Sequence, residues 1–400
     1  KLIEKIEFAS PGFINFFLKE NSQLEILKII NKEKEKFGLN LKIGEGEKVL
    51  IEYVSSNPTG PLHVGHGRGA AFGSVLSSIL RTIGYQVDEE YYINDQGRQM
   101  DILTLSVWIR YVQMQKYKIS LPERCYQGNY VESLAKKVLL KFDNEYLLDK
   151  KEIQELENLI NSEDPEVVLD HLIIRLKVNL KKGFSKIGTT ALNLIMDSIK
   201  KDLKNFGVSQ NLWYKETSLY KPSTNKLSPI ENTIKILKEN NYLYEKDGAL
   251  WFISSSFEDN KDRVVEKENG EKTYFASDMA YHFYKYQRGY NKIINIWGAD
   301  HHGYLPRVRS AVKALNEDPS KLEVIFIQFV SLLKGGKKLP MSTRQGQFTS
   351  LRELMTEVSP GAARFFFINK KAEQHLDFDL DLIKEQSKDN PLYYIQYAHA

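Results

Sequence analysis

Two textures of apolar and polar positions alternate along the chain. From Lys48 the run Val49-Leu50-Ile51-Glu52-Tyr53-Val54 has β-rich composition, a loop rich in Gly, Pro, Ser and Asn follows to Gly60-Pro61, and small residues from Gly65 to Ser78 lead into Ile79-Leu80. That order predicts strand, loop and helix. A second strand over Val87 to Ile93, ending at Asn94-Asp95-Gln96-Gly97, predicts a parallel pair joined by a crossover of βαβ length. Residues 98 to about 207 carry almost no strand signal, and apolar residues recur at helical spacing through Val167, Leu169, Leu172, Ile173, Leu176 and Leu180. This stretch reads as a helical insertion. Strand signals return at Leu250–Ile253, Thr273–Ala276, Ile293–Trp297 and Val324–Ile327, with helices predicted at 229–240, 278–288 and 302–315, so the same sheet is expected to resume and close there. Val324 to Leu333 is the longest near-continuous apolar run, about half of what a membrane span needs, and predicts one buried strand. After Gly335-Gly336 the pattern is helical over Ser350–Val358 and Gly361–Asn369, and the tyrosine-rich stretch from Tyr393 to Ala400 reads as the first turns of a further helix. At the other end, Phe13–Leu18 is an apolar piece bounded by Pro11-Gly12, followed by a helical stretch that ends in the charged run Asn31–Lys36. The fold class is α/β: a doubly wound parallel sheet with a helical insertion and flanking helical segments.

Composition narrows the picture. The 400 residues are 42% hydrophobic and 27% charged, which excludes low-complexity disorder and allows two or three cores. One cysteine, Cys125, excludes an internal disulfide and any multi-thiolate zinc or iron–sulfur site, and suits a reducing cytoplasm. The chain opens on Lys1 with no basic-plus-apolar leader, so it is expected to be a fragment with no secretory signal in view. A net charge of +4 is too balanced to establish a polyanion partner. Clusters at Lys136-Lys137, Lys181-Lys182, Lys200-Lys201 with Lys204, and the mixture of four tyrosines with His282, Lys285 and Arg288 between Tyr281 and Tyr290 permit one, although a solvated helix face explains most such clusters.

The stretch with most chemistry in it is Ser55-Ser56-Asn57-Pro58-Thr59-Gly60-Pro61-Leu62-His63-Val64-Gly65-His66-Gly67-Arg68-Gly69, at the end of the first strand and the start of its helix. Doubly wound sheets bind ligands at that place. Backbone N–H groups and the helix dipole favour phosphate there, and two histidines three apart on the opening turn can donate hydrogen bonds to phosphoryl oxygens as charge develops. The loop holds no lysine and fits neither a P-loop nor a dinucleotide fingerprint. A metal pair would more usually be four apart beside an acid, and no metal site is expected.

His63-Val64-Gly65-His66 resembles the HIGH signature of class I aminoacyl-tRNA synthetases, and the stretch from Glu52 through Asn57 to Gly69 resembles the arginyl-tRNA synthetase family within that class. Pro340-Met341-Ser342-Thr343-Arg344 resembles the second signature, KMSKR, in the expected order. The likeness extends over nearly the entire chain, including Trp297–Gly303, Ala362–Phe366 and Tyr393–His399. It implies ATP-dependent activation of L-arginine to arginyl-adenylate and transfer of the arginyl group to the 3′ end of tRNA(Arg), with Mg2+ entering as the ATP complex. By this resemblance His63, His66, Met341, Ser342 and Arg344 are catalytic. ATP is implied to meet His63, Gly65, His66, Gly298, Asp300 and Met341, with Gly65 a flat seat for adenine. Arginine is implied to meet Glu52, Asn57, Glu216, Tyr274, Asp278 and His301. Planar carboxylate acceptors suit a guanidinium, whose N–H donors are fixed in a fork. Asp278 can also cap the helix through Tyr281, and Glu52 can also be a salt-bridged strand acid. Pro340 and Thr343 replace the lysines of the second signature, which leaves Lys334, Lys337 and Lys338 as local candidates for the phosphate-side cation.

The implied organisation is a remnant of an N-terminal tRNA-binding domain at 1–45, the first half of the catalytic domain at 46–110, the insertion at 111–199, the second half at 200–333, a signature loop with stem-contact helices at 334–388, and the start of a truncated helical anticodon-binding domain at 389–400. A cytoplasmic monomer with no membrane association is expected. Three other functions compete: a tRNA-binding relic impaired in catalysis, suggested by the two missing lysines; another nucleotidyltransferase of the HIGH superfamily acting on a substrate such as pantoate; and a cysteinyl or methionyl synthetase, similar at the first signature, although the single cysteine leaves no thiolate cluster for the zinc usual in those families.

Overall fold

The computed structural model describes all residues except 1, 161–163, 223–225, 340–348, 386 and 388–389, together with the side chain of Gln23. The chain divides into two compact units, residues 1–47 with 78–86, and residues 48–77 with 87–400. The smaller unit contains an antiparallel hairpin of β1 (Ile3–Ala9) and β2 (Phe13–Leu18), so the apolar piece at Phe13 is a strand, and helix α1 (Ser22–Glu33).

The larger unit is built on a five-stranded sheet. Its strands are β3 (Lys48–Glu52), β4 (Gln86–Ile93, reached through helix α2, Val64–Thr82), β5 (Leu212–Lys215), and, further along, the segments Lys292–Gly298 and Leu322–Ile327. Val49, Leu50 and Ile51 are all buried, as expected for a central strand covered on both faces. Helix α2 lies close against the residue that follows β3, because Gly73 has no Cβ; one built there would stand 2.4 Å from the Tyr53 ring. Between β4 and β5 runs the helical insertion: α3 (Arg98–Met114), α4 (Asn129–Phe142), α5 (Lys150–Ile160), α6 (Pro165–Leu180) and α7 (Lys182–Asn205). Its apolar stripe is largely as the sequence predicts. Val168, Leu169, Leu172, Ile173 and Leu176 are buried, whereas Val167 is exposed. Asp164 caps α6 by accepting from the Glu166 N–H.

Helix α8 (Pro229–Glu239) opens on a capping box between Ser228 and Glu231. The strand signal at Leu250 does not rejoin the parallel sheet. It forms β7 (Ala249–Phe252), the middle of a separate antiparallel sheet between β6 (Leu243–Lys246) and β8 (Arg263–Glu266). The signal at Thr273–Ala276 is not a strand either. Helix α9 (Tyr274–Gln287) starts there, because the Thr273 hydroxyl accepts from the Ala276 N–H and decides what the aromatic composition left ambiguous. Asp278 therefore lies inside the helix and does not cap it. Then come β9 (Lys292–Gly298), α10 (Leu305–Ala314) and β10 (Leu322–Ile327).

The apolar run Val324–Leu333 is not one strand. It breaks at Gln328-Phe329, with Phe329 exposed, into β10 and β11 (Val330–Lys334), and β11 belongs to a second small sheet with β12 (Lys337–Lys338) and β13 (Leu376–Asp379). Buried Arg68 holds the break by donating to the carbonyls of Gln328, Lys371 and Gln374, each at 2.8 Å. Helices α11 (Leu351–Glu357), α12 (Pro360–Ile368), α13 (Leu380–Lys384) and α14 (Pro391–His399) complete the described elements. No helix among the described residues is long and apolar enough to cross a membrane.

The order of the main sheet is β10-β9-β3-β4-β5, and the pairs β10–β9, β9–β3 and β4–β5 are parallel. From β3 the chain winds outward through β4 to β5, then returns to the other side of β3 to place β9 and β10. The switch point therefore lies between β3 and β9, and ligands of such sheets bind beyond the carboxyl ends of the strands at this crevice.

Candidate functional site

A cavity of about 740 Å³ opens at the carboxyl ends of β3 and β9. Nine residues singled out in the sequence line it: Glu52, Asn57, His63, Gly65, His66, Asp278, Gly298, Asp300 and His301. Glu216 does not reach the wall. It is buried one layer behind Asn94, whose amide nitrogen donates to Glu216 Oε2 at 2.7 Å and to the Gln96 carbonyl at 3.1 Å. Tyr274 is exposed and outside the lining, with its hydroxyl packed over Gly97. Pro340, Met341, Ser342, Thr343 and Arg344 lie outside the described residues.

The loop leaving β3 is held open by the sheet. Val54 and Ser55 both take left-handed backbone conformations, with φ of 69° and 38°, an unfavourable choice for a β-branched valine. The Ser55 hydroxyl accepts from the Tyr92 N–H at 3.0 Å, Tyr91 donates to the Ser56 carbonyl at 2.8 Å, and Tyr130 donates to the Thr59 carbonyl at 2.8 Å. The chain then meets the segment that precedes α11. Val64 N–H donates to the Thr349 carbonyl at 3.3 Å, and Leu351 N–H donates to the Leu62 carbonyl at 2.7 Å.

His63 and His66 are stacked, ring centroids 3.7 Å apart. The Gly65 N–H donates to His63 Nδ1 at 3.1 Å and the His63 N–H donates to His66 Nδ1 at 3.2 Å. With both Nδ1 atoms accepting, each neutral ring carries its proton on Nε2. Burial lowers the pKa of both rings, and for His66 the charge of His63 lowers it further, so the pair is neutral near pH 7. Gly65 is required by this packing: a Cβ there would stand 2.9 Å from His63 Cε1.

At the other end of the cavity the electrostatics reverse. Burial, then the charges of Asp278 and Asp95, push the Glu216 carboxyl up to about 7. Burial, with Glu52 adding to it, pushes Asp278 up to about 6 against the opposing hydrogen bond from the Tyr304 hydroxyl. Asp95 braces the turn that carries Glu216, accepting from the Thr217 N–H and hydroxyl at 2.9 Å each. Glu52 is indeed a salt-bridged strand acid, paired with the fully buried Lys285. Among the described residues that line the cavity there is no lysine or arginine.

Sequence reasoning missed Tyr92, Asn94, Tyr304, Asn295 and the inward role of Lys285. The mixture of aromatic and basic residues at 281–290 is not a polyanion surface: Tyr281, His282, Lys285, Tyr286 and Tyr290 are buried, and Arg288 pairs with Glu90 at 2.5 Å. Helical spacing from Asp278 through His282 to Lys285 places all three on one face, which was the available signal. Of the phosphate-side candidates, Lys334 is on the surface with Glu357 at 2.9 Å, and Lys337 and Lys338 are exposed on β12. Among the described residues, no group of three or more His, Cys, Asp or Glu side chains is placed to hold a metal ion.

Comparison with known proteins shows the family. Residues 26–379 match the family model described as tRNA synthetases class I (R), catalytic domain. The arginine–tRNA ligase of Thioalkalivibrio sulfidiphilus (strain HL-EbGR7) is 48% identical over 404 residues, an alignment that covers 100% of this chain and 68% of that protein. A Campylobacter jejuni crystal structure assigned as an arginyl tRNA synthetase superposes with a TM-score of 0.81 at 34% identity, covering 96% of this chain and 76% of that one. The Thermus thermophilus arginyl-tRNA synthetase, at 19% identity and a TM-score of 0.67 over 100% of this chain and 69% of that one, shares the fold. On the match of its sequence from residue 26 to residue 379, the chain belongs to the arginine group of the class I tRNA synthetases.

Proposed function

We propose that the chain activates L-arginine with ATP and passes the arginyl group to the 3′ end of tRNA(Arg). The observation that carries this reading is the acidic end of the cavity. Buried Glu52 and Glu216 and partly buried Asp278 have one buried lysine among them, and that lysine is committed to Glu52. Carboxyls raised to about 6 and 7 mark negative charge short of a partner. A guanidinium supplies it in a flat, forked form.

In this reading the side chain of arginine enters toward Asp278 and Glu216, and Glu52 with Asn57 takes the α-amino group. The substrate carboxylate then points to the histidine end. There its oxygen attacks the α-phosphorus of ATP, the bond to the bridging oxygen breaks, and pyrophosphate leaves. The neutral Nε2–H groups of His63 and His66 stabilise charge on the phosphates without competing as bases. Gly298 and Asp300 lie at the nucleotide side, His301 beside them, and Tyr274 covers the entrance to the guanidinium pocket. Mg2+ enters with the ATP phosphates, and Met341, Ser342 and Arg344 act on the far side of the nucleotide. A hydroxyl of the terminal adenosine of tRNA subsequently attacks the carbonyl of the adenylate and releases AMP. The insertion at 111–199 and the segment 334–388 contact the tRNA, and the protein works as a cytoplasmic monomer.

ATP–pyrophosphate exchange with arginine, lysine and canavanine, each with and without tRNA, tests this. Exchange that depends on arginine supports it. Exchange with pantoate or a nucleotide in place of arginine overturns it, and loss of all exchange despite tight tRNA binding supports the relic instead.

A further inference from the structure

Behind Glu52 runs a line of buried side chains in which the direction of each hydrogen bond is set. Lys285 on α9 pairs with Glu52 Oε2 and donates to Asn295 Oδ1 at 2.8 Å. Asn295, in the middle of β9 and 0% exposed, faces His282 Nε2 with its amide nitrogen at 2.9 Å. His282 Nδ1 lies 2.8 Å from the backbone carbonyl of Asp278. A carbonyl only accepts, so His282 donates from Nδ1 and its Nε2 is left to accept from Asn295. The Asn295 oxygen must then turn to the lysine ammonium. Burial, and after it the charge of Lys285, lower His282 to about 3, which keeps the ring neutral and this direction intact. The Tyr281 ring covers another side of the ammonium, 4.3 Å from Nζ.

The line ends at the cavity. Glu52 contributes to the wall, and while its Oε2 is taken by Lys285, its Oε1 has no hydrogen-bond partner among the described residues. A lysine alone would not fix that oxygen, because an ammonium on a flexible stem has three rotatable donors. The amide and imidazole remove this freedom by giving the ammonium a second fixed acceptor.

We propose that Lys285, Asn295 and His282 are positioning residues that hold Glu52 in one orientation, with Oε1 presented to the α-amino group of the substrate amino acid. This deepens the arginine reading and rests on it. The role differs from simple burial of charge in what it predicts. Loss of the line should affect recognition of the α-amino group and leave recognition of the guanidinium alone, since Asp278 and Glu216 are braced separately by Tyr304 and Asn94.

Two ligands separate these outcomes: L-arginine, and 5-guanidinopentanoic acid, which lacks only the α-amino group. Dissociation constants are measured on the full chain and on Asn295→Leu, with His282→Phe as a second variant should the first fail to fold, as judged by thermal melting. The unsubstituted chain should prefer arginine, and the variant should weaken arginine about tenfold while the deaminated acid stays within about twofold, the size expected for a charged hydrogen bond lost to misorientation. Equal weakening of both ligands would reduce the line to a structural element and overturn the proposal, as would unchanged arginine binding. A chain that binds neither guanidino compound overturns the arginine reading together with this one, whereas loss of the proposal alone leaves that reading standing.

Discussion

The two ends of the cavity are built on opposite terms. At the acidic end, Glu52, Asp278 and Glu216 each have a hydrogen-bonding neighbour that fixes them, in Lys285, Tyr304 and Asn94. At the histidine end, the side chains of Asp300 and His301 are 59% and 58% exposed and lie 3.5 Å apart, with the His301 ring edge-on to Trp297, and the stacked histidines are neutral. A small rigid cation can be met by a site prepared in advance, because its charge and shape do not change during the reaction. A triphosphate gains and loses charge at several atoms. On the proposed function it would be served by donors that carry no net charge of their own and by an end left open to solvent.

If this division is right, substitutions at the two ends should separate kcat from KM. The largest effect is expected at the histidines. His66→Ala removes an Nε2–H from the phosphate region and should lower kcat by about two to three orders of magnitude, with the KM for arginine within about twofold, measured by ATP–pyrophosphate exchange. A matching rise in the arginine KM would show that the ends are not separable. Next in size, Asp278→Asn keeps an acceptor for Tyr304 but removes charge from the guanidinium site, and should raise the arginine KM about a hundredfold with a much smaller change in kcat. An unchanged KM would remove Asp278 from the site. The smallest effect is that of pH. Glu216, behind the wall, at about 7 and Asp278, on it, at about 6 take up protons below those values, which a guanidinium bound beside them must displace. Arginine affinity should therefore fall as pH falls through 7 and more steeply below 6, roughly tenfold in all between about pH 7.5 and pH 6. Calorimetry in buffers of different ionisation enthalpy should show proton release on binding. Affinity independent of pH over that range would mean that these carboxyls are already ionised and the acidic end is not short of a partner.

Much of the fold is legible in the sequence. The strand, loop and helix around His63 follow from a buried apolar run, turn residues and small helix formers in that order, and the insertion follows from helical spacing. What escaped had a common cause. Tyr274-Phe275 reads as strand by composition, and the Thr273 hydroxyl that caps the helix start is itself held by the Val264 carbonyl of β8, at 2.8 Å. Val324–Leu333 reads as one strand because the bend at Phe329 leaves no glycine or proline behind. Lys285 and Asn295 look like a surface lysine and a strand polar residue, and their meaning arises only when β3, α9 and β9 are brought together. Glu216 is singled out by resemblance alone, and its place behind Asn94 comes from a contact between residues far apart in sequence, which no local pattern encodes.

Arg68 offers a last lesson about that bend. One guanidinium, carrying five N–H groups, ties three carbonyls from two distant stretches of chain and so lets a single apolar run serve two different sheets. Lysine in its place could not span the same three oxygens, so the joint between the layers is a charged rivet for which no hydrocarbon could be exchanged, and the cavity wall at Ile327 and Val330 inherits its rigidity from a residue two positions beyond the second histidine.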